Sequence, residues 1–298
     1  MEVSYKNNCK VNINDVRFGA ELATRSLLYE VCITPKPGLV DCANSGIHND
    51  MDIFTFVSSS CALFSCFEDF IKCGRSTATS TPKTTMSKLR KIGIKAEKKM
   101  FKATNGINTH KGAIFSLGLV CGALGRLPRT QWNNPKKILN ECKKMTKGIV
   151  KEELENISKS QATMTNGEKL YKEYGITGIR GQAESGFPIV ISVGLPILHD
   201  ALKKGYSLNE AGYSVLLNFI TILDDTCIVS KQNHAMRKKL IAEISDELKK
   251  ADVVSADKVN QFNEKFIDNS FSPGGCADML ALTLFLYFLE TESGNQCI

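Results

Sequence analysis

Five side chains able to do chemistry, Lys36, Asp41, His48, Asp50 and Asp52, fall within residues 34–52, beside two prolines and two glycines and with no sustained periodicity. Clustered carboxylates suit Mg2+, a hard cation that takes oxygen ligands and keeps several waters when it also holds substrate phosphates. Asp41, Asp50 and Asp52 are therefore candidate metal ligands, with Lys36 a candidate phosphate contact. One acid is also expected to cap the helix beginning near Met51, where cap oxygens and negative charge are favoured. Most connections in compact domains run about 4–6 residues, and Leu39, Val40, Ile47, Met51 and Ile53 are interleaved with the polar groups. The segment reads as an ordered active-site loop.

Four further groupings bear on the same chemistry. Gly106-Ile-Asn-Thr-His-Lys-Gly112 precedes an apolar helix; backbone N–H groups at a helix start attract anions, and Lys111 adds a full charge. Asn108, His110 and Lys111 are its candidate contacts, although Asn108 or Thr109 would serve equally as an ordinary cap. The glycine spacing is wrong for a Walker A loop. Residues 175–188 contain four glycines, Arg180, Glu184 and Phe187. They suggest a binding loop in which Arg180 grips phosphate with two N–H groups and Glu184, sheltered by Phe187, exchanges protons. Asp224 and Asp225 stand at the end of an apolar helix, where each disfavours the other, so they call for a cation or face solvent. In Ser272-Pro-Gly-Gly-Cys-Ala-Asp278, Gly274 and Gly275 open the last helix, which fits anion binding or plain capping. Together the five groupings describe a magnesium-nucleotide site in an enzyme acting on phosphates.

The elements that must position these groups read as helices. Val16, Ala20, Ala23, Leu27 and Val31 recur at spacings of three and four until Thr34-Pro35 stops the pattern. Further stretches of helical character cover residues 53–70, 83–102, 114–124, 241–266 and 277–289, and Ser207-Leu-Asn-Glu210 is a capping box. Gly118 and Gly122 permit close packing of a central helix. Residues 74–85 read as a mobile connector, and residues 134–172 as amphipathic and without chemistry. Period-two strands are missing, so the expectation is an all-α fold, one multi-helix domain over residues 1–298 with loops converging on one nucleotide site.

Composition narrows the class. Apolar residues make up 43% of 298 residues, enough for a substantial core. A net charge of +7 speaks more to solubility than to a polyanion partner. Nucleic-acid binding through the eight cations of residues 83–102 is kept as the alternative from another class. Eleven cysteines without a C-x-x-C pair read as reduced thiols, and the polar start lacks a secretory core, so a cytoplasmic location is expected. The longest apolar run, residues 186–198, is too short for a membrane span.

Thr34-Pro-Lys-Pro-Gly-Leu-Val-Asp41 with Asn44-Ser-Gly-Ile-His-Asn-Asp-Met-Asp52, then Asn108-Thr-His-Lys-Gly-Ala-Ile-Phe-Ser-Leu-Gly118, Gly178-Ile-Arg-Gly181 and Ser272-Pro-Gly-Gly-Cys-Ala-Asp278 resemble the triphosphoribosyl-dephospho-coenzyme A synthase family, in the family's order and over nearly the whole chain. The resemblance implies an all-helical enzyme that uses ATP, 3′-dephospho-coenzyme A and Mg2+, releases adenine, and makes the 2′-(5″-triphosphoribosyl) product. That product is the prosthetic-group precursor for the acyl carrier protein of citrate lyase or malonate decarboxylase, installed by a downstream phosphoribosyl-dephospho-CoA transferase. On this reading Lys36, Lys111 and Arg180 hold phosphates, Asp50, Asp52 and Asp225 hold metal or sugar, and Glu184 or His110 moves protons. The chain departs from the family at Gln182, where Glu is expected, and at Cys227 and Lys231-Gln232-Asn233, where Asn and Arg-Gly-Gly are expected. Those departures suggest an altered acceptor, reduced activity or ligand binding alone. The alternative among enzymes is a related ATP-dependent transferase or N-glycoside hydrolase with another acceptor.

Overall fold

The structure is a computed structural model and describes residues 12–155, 164, 166–223 and 234–293. Among these residues the elements are helical, with no strand. They are α1 (Ile13–Cys32), α2 (Ile53–Ser76), α3 (Pro82–Ala103), α4 (Lys111–Arg126), α5 (Pro135–Thr146), α6 (Asn166–Tyr174), α7 (Gly178–Ser185), α8 (Leu195–Lys203), α9 (Leu208–Ile222), α10 (His234–Leu248), α11 (Ala256–Asp268) and α12 (Gly274–Glu292). Caps set the starts: Asn12 and Asp15 exchange bonds at α1, Ser207 and Glu210 at α9, and Asp52 with Thr55 at α2. Asp52 is thus the acid that caps the helix after the loop.

The middle of the fold is α4, buried along nearly its whole length from Ala113 to Gly125. It packs on α2, with α1, α3, α5 and α12 around the pair. Side chains are missing where α2 and α4 come closest: a Cβ on Gly74 would lie 2.0 Å from the Gly122 carbonyl oxygen, and one on Gly125 would lie 2.1 Å from that of Ile71. Gly118 and Gly122 instead receive the Phe70 ring and the Leu89 side chain. A single apolar cluster joins Val16 in α1 to Leu289 in α12.

Three sequence expectations need correction. The connector expected between residues 74 and 85 is short, because α2 runs to Ser76 and α3 starts at Pro82. Arg126 pins it by donating to the Thr77 and Ser80 carbonyls and to Thr85 Oγ1 while paired with Glu141. The supposed glycine loop winds into α7 across residues 178–185, and Gly186, at φ +80°, is its left-handed cap. Finally, α2 and α12 do have the length and mean hydropathy, 1.2 each, to cross a membrane. In α12 61% of that apolar window is buried within the protein, where the helix packs against α1, α4 and α9.

The close helix contact makes a paired prediction. Gly125→Ala forces backbone apart and is expected to cost about 1–3 kcal/mol. Gly93→Ala, where a Cβ meets nothing within 4 Å, should stabilise by about 0.5–1 kcal/mol through lost unfolded-state freedom. Urea unfolding of the two variants measures both signs.

Candidate active site

A cavity of about 1140 Å³ opens among the motif-bearing segments, somewhat above the roughly 300–1,000 Å³ usual for a single small ligand. Its wall includes Glu30 from the last turns of α1, Lys36 and His48 from the loop, residues 108–113, residues 174–180 with Gln182, Ile222 and Leu223, and Ser272, Gly274, Gly275 and Asp278. Four of the five sequence groupings therefore meet. The N-terminal ends of α4, α7 and α12 all reach this wall through Lys111 and Gly112, Thr177 and Gly178, and Gly274 and Gly275. Three helix N-termini with their partial positive charges share one space, which favours an anion.

The loop owes its shape to charges turned inward. Lys36 is 1% exposed; its ammonium donates to Glu30 Oε1 at 2.5 Å and to the Glu30 carbonyl at 2.7 Å. Burial pushes the Glu30 carboxyl upward while Lys36 pulls it down. Asp41 is buried too: one oxygen accepts from the Lys36 N–H, the other from those of Ala43 and Asn44. Its carboxylate thereby organises the loop, and it does not line the cavity. Glycine is required at 38, where φ is +70° and a Cβ would meet the Phe271 carbonyl oxygen at 2.0 Å. His48 Nε2 and Ser272 Oγ, 3.2 Å apart, tie the loop to the start of α12. Asp50 is exposed, and Asp52, whose pKa is lowered first by the Thr55 backbone N–H, is occupied as a cap.

At the start of α4, His110 takes the cap position and Asn108 Oδ1 accepts from the Lys111 N–H at 3.2 Å. His110 is 3% exposed, with Nδ1 2.7 Å from Ser59 Oγ and the Phe56 ring edge-on to its own. Burial, then the nearby Lys36 charge, lowers its pKa to about 3, so the imidazole is neutral near pH 7. Lys111 is half-exposed and 3.4 Å from Glu97. Across the cavity Arg180 donates to Glu153 at 2.6 Å, and Arg90 shares the same carboxylate, leaving the cluster net positive. Glu184 stands outside the cavity lining, held by the Gly148 and Val150 N–H groups at 2.6 and 3.1 Å. Asp224, Asp225, Cys227 and residues 231–233 lie outside the described residues.

Sequence reasoning missed Glu30, Ser59, Glu153 and Asp278 as site residues. Glu30 sits on the last turn of an amphipathic helix, four residues before the proline motif, and that spacing was the available signal. Asp278 approaches α4 so closely that a Cβ on Gly112 would lie 1.9 Å from its Oδ2. Among the described lining residues four carboxylates (Glu30, Glu97, Glu153, Asp278) face three cations (Lys36, Lys111, Arg180). A polyphosphate entering there calls for a further positive charge. No group of three His, Cys, Asp or Glu able to hold a metal occurs among the described residues, whereas Mg2+ arriving with phosphates needs only one or two carboxylates.

Two stability measurements follow from the buried charges. Glu30→Gln or Lys36→Met alone should destabilise by about 3–5 kcal/mol, because each strands a partner, and the double variant should recover much of that loss. His110 titrates near 3 when folded against about 6.5 when unfolded. Below pH 6.5 the unfolded chain therefore binds the extra proton, and stability present at neutral pH is lost as pH falls, by about 1.4 kcal/mol per pH unit. Urea unfolding of His110→Gln between about pH 4 and 6 should show a slope shallower by one proton.

The model of the CitG family, ATP:dephospho-CoA triphosphoribosyl transferase, matches residues 17–297. The probable 2-(5''-triphosphoribosyl)-3'-dephosphocoenzyme-A synthase of Streptococcus mutans is 36% identical over 282 residues, covering 90% of this chain and 95% of the relative. No solved structure matches the chain. The family match takes in the loop, the α4 start, α7 and the α12 start, the same segments that build the cavity, and this chain belongs to the ATP:dephospho-CoA triphosphoribosyl transferase family.

Proposed function

We propose that the cavity is where the triphosphoribosyl group of ATP passes to the 2′-hydroxyl of 3′-dephospho-coenzyme A with release of adenine. The observation that carries this is the convergence of three helix N-termini with Lys111 and Arg180 in one space larger than a single ligand usually needs. The α4, α7 and α12 ends hold the triphosphate together with those two cations. Met51, Phe56, Phe115, Ile176, Ile179 and Met279 give an apolar wall suited to the bases and the pantetheine arm. Lys36, committed to Glu30, acts on the triphosphate only through its field.

Breaking the bond from C1′ to adenine develops oxocarbenium character, which a carboxylate nearby stabilises while a base takes the 2′-hydroxyl proton. Glu30 and Asp278 are the wall carboxylates in this proposal, in place of Glu184. Asp278 beside the α4 start, with Asp224 and Asp225 beyond Leu223, is the set proposed to hold Mg2+. When bound, the ion neutralises triphosphate charge. Asp50 and Asp52 take no part in this version of the site. The same reading carries the finer expectations: a cytoplasmic enzyme without a membrane span, whose product feeds a phosphoribosyl-dephospho-CoA transferase and the acyl carrier protein of citrate lyase or malonate decarboxylase. The described cysteines are all free thiols, which suits that compartment.

Incubation with Mg-ATP should release adenine only when dephospho-coenzyme A is present. Release without it indicates a hydrolase, and ADP indicates a kinase; either outcome defeats the proposal. Lys111→Gln and Arg180→Gln should each raise the KM for ATP about tenfold or more, since a charge-assisted contact contributes roughly 1.5–3 kcal/mol. Asp278→Asn should raise the Mg2+ concentration needed for half-maximal rate.

A further inference from the structure

We propose that His110 serves this transfer as a neutral hydrogen-bond donor, its Nε2–H engaging a ring nitrogen of the departing adenine, with Ser59 and Thr109 as positioning residues that fix the tautomer. The inference rests on the proposed reaction and adds what the histidine does in it.

Two hydroxyl groups stand in line behind the imidazole. Thr109 Oγ1 donates to Ser59 Oγ at 2.8 Å, and Ser59 Oγ lies 2.7 Å from His110 Nδ1. Ser59 Oγ accepts from Thr109, and among the described residues its own proton finds its acceptor at His110 Nδ1, which assigns Nδ1 as the accepting nitrogen. A neutral imidazole that accepts at Nδ1 carries its hydrogen on Nε2. The ring is fixed further by the edge-on Phe56 contact and by the His110 backbone N–H, which donates to Met100 Sδ at 3.2 Å.

That Nε2 is buried and has no hydrogen-bond partner among the described residues, in a residue that lines the cavity. An orphaned buried donor costs about 1–3 kcal/mol and calls for an explanation. A substrate acceptor supplies one. The surroundings keep the ring uncharged: it is almost wholly buried at the cavity wall, the nearby Lys36 charge disfavours protonation, and it stands at the positive end of α4. The other charged groups near this helix end are Lys111 with Glu97, and Asp278 against Gly112. A neutral imidazole at a helix N-terminus is suited to polarise an acceptor without surrendering its proton.

Which acceptor follows from charge. Phosphate oxygens are matched by Lys111, Arg180 and helix ends, and the ribose becomes electron-poor. Adenine alone gains electron density, because the C1′–N9 bond breaks with its electron pair going to the base. The 2′-oxygen bonds to C1′ as the C1′–N9 bond breaks, the hydroxyl proton passes to a wall carboxylate and from that carboxylic acid to the departing adenine, and His110 gives up none. A second observation points the same way: Gln182 Oε1, also on this wall, is a buried acceptor without a partner among the described residues. Adenine carries both ring acceptors and an exocyclic amine, so it can satisfy both orphans.

The experiment has a spectroscopic arm and a kinetic arm. In 15N-labelled wild-type protein the His110 signal, assigned by its loss in His110→Gln, should report the neutral Nε2–H tautomer from about pH 5 to 8. Ser59→Ala should mix the tautomers and Ser59→Thr should restore the pure form. An Nδ1–H tautomer or an imidazolium at neutral pH overturns the proposal. In turnover with dephospho-coenzyme A, His110→Leu should lower kcat by on the order of 100-fold with little change in the KM for ATP. One of 7-deaza-ATP and 3-deaza-ATP should slow the wild type by a similar factor while slowing His110→Leu no further. Equal penalties of both analogues on both proteins overturn the assignment to adenine. If the wild type releases no adenine at all, the reaction itself fails, while the spectra still read the tautomer directly.

Discussion

The pairing of Lys36 with Glu30, almost wholly buried at the cavity wall, is the contact on which the site depends. An ammonium that far inside cannot be left without a carboxylate, since an unpaired buried charge costs several kcal/mol. The folded loop is therefore held on the last turns of α1. Once Lys36 is seated, its N–H is presented to Asp41, and Asp41 draws in the N–H groups of Ala43 and Asn44. Gly38 then lies under the Phe271 carbonyl, and His48 reaches Ser272. One ion pair thus connects α1, the loop and the start of α12 into a common wall. The same ammonium helps keep His110 neutral.

Behind that wall the helices meet with little tolerance. The α2 and α4 backbones approach so closely that glycine is the only residue that fits at 74 and 125. Arg126, at the far end of α4, is almost wholly buried with Glu141 and holds the connector between α2 and α3 by its carbonyls. Fixing α4 at one end and packing it along its length leaves its N-terminus with a defined position. Precision at that point matters, because Lys111, His110 and the α4 N–H groups all act from it.

Much of the helical framework was legible in the sequence. The α1 stripe, the proline stop, the capping box at Ser207 and the close-packing glycines of α4 each carry a local physical signature, and each is present in the structure. The loop and the α4 start were legible as site material because carboxylates, glycines and a lysine without periodicity have little use in a core. Roles within the site were harder to read. Lys36 and Asp41 have the composition of ligand-binding residues but neutralise Glu30 and the loop backbone. Asp52 is a cap and Glu184 a clamp on the Gly148 turn. A carboxylate that binds a metal and one that binds two backbone N–H groups are the same letter in a sequence.

The sequence by itself determined that this is a helical enzyme of one family, because periodicity and caps are short-range and the family's motifs are written in consecutive residues. Only the tertiary structure decided which charges are inside. Glu30 becomes a site residue through burial beside Lys36, Glu153 through Arg180 and Arg90, and Asp278 through its approach to Gly112. The orientation of the His110 ring rests on Ser59, some fifty residues earlier in the chain, lying 2.7 Å from its Nδ1. Desolvation, ion pairing and tautomer choice arise from distances between groups far apart along the chain, and those distances exist only once the helices have packed.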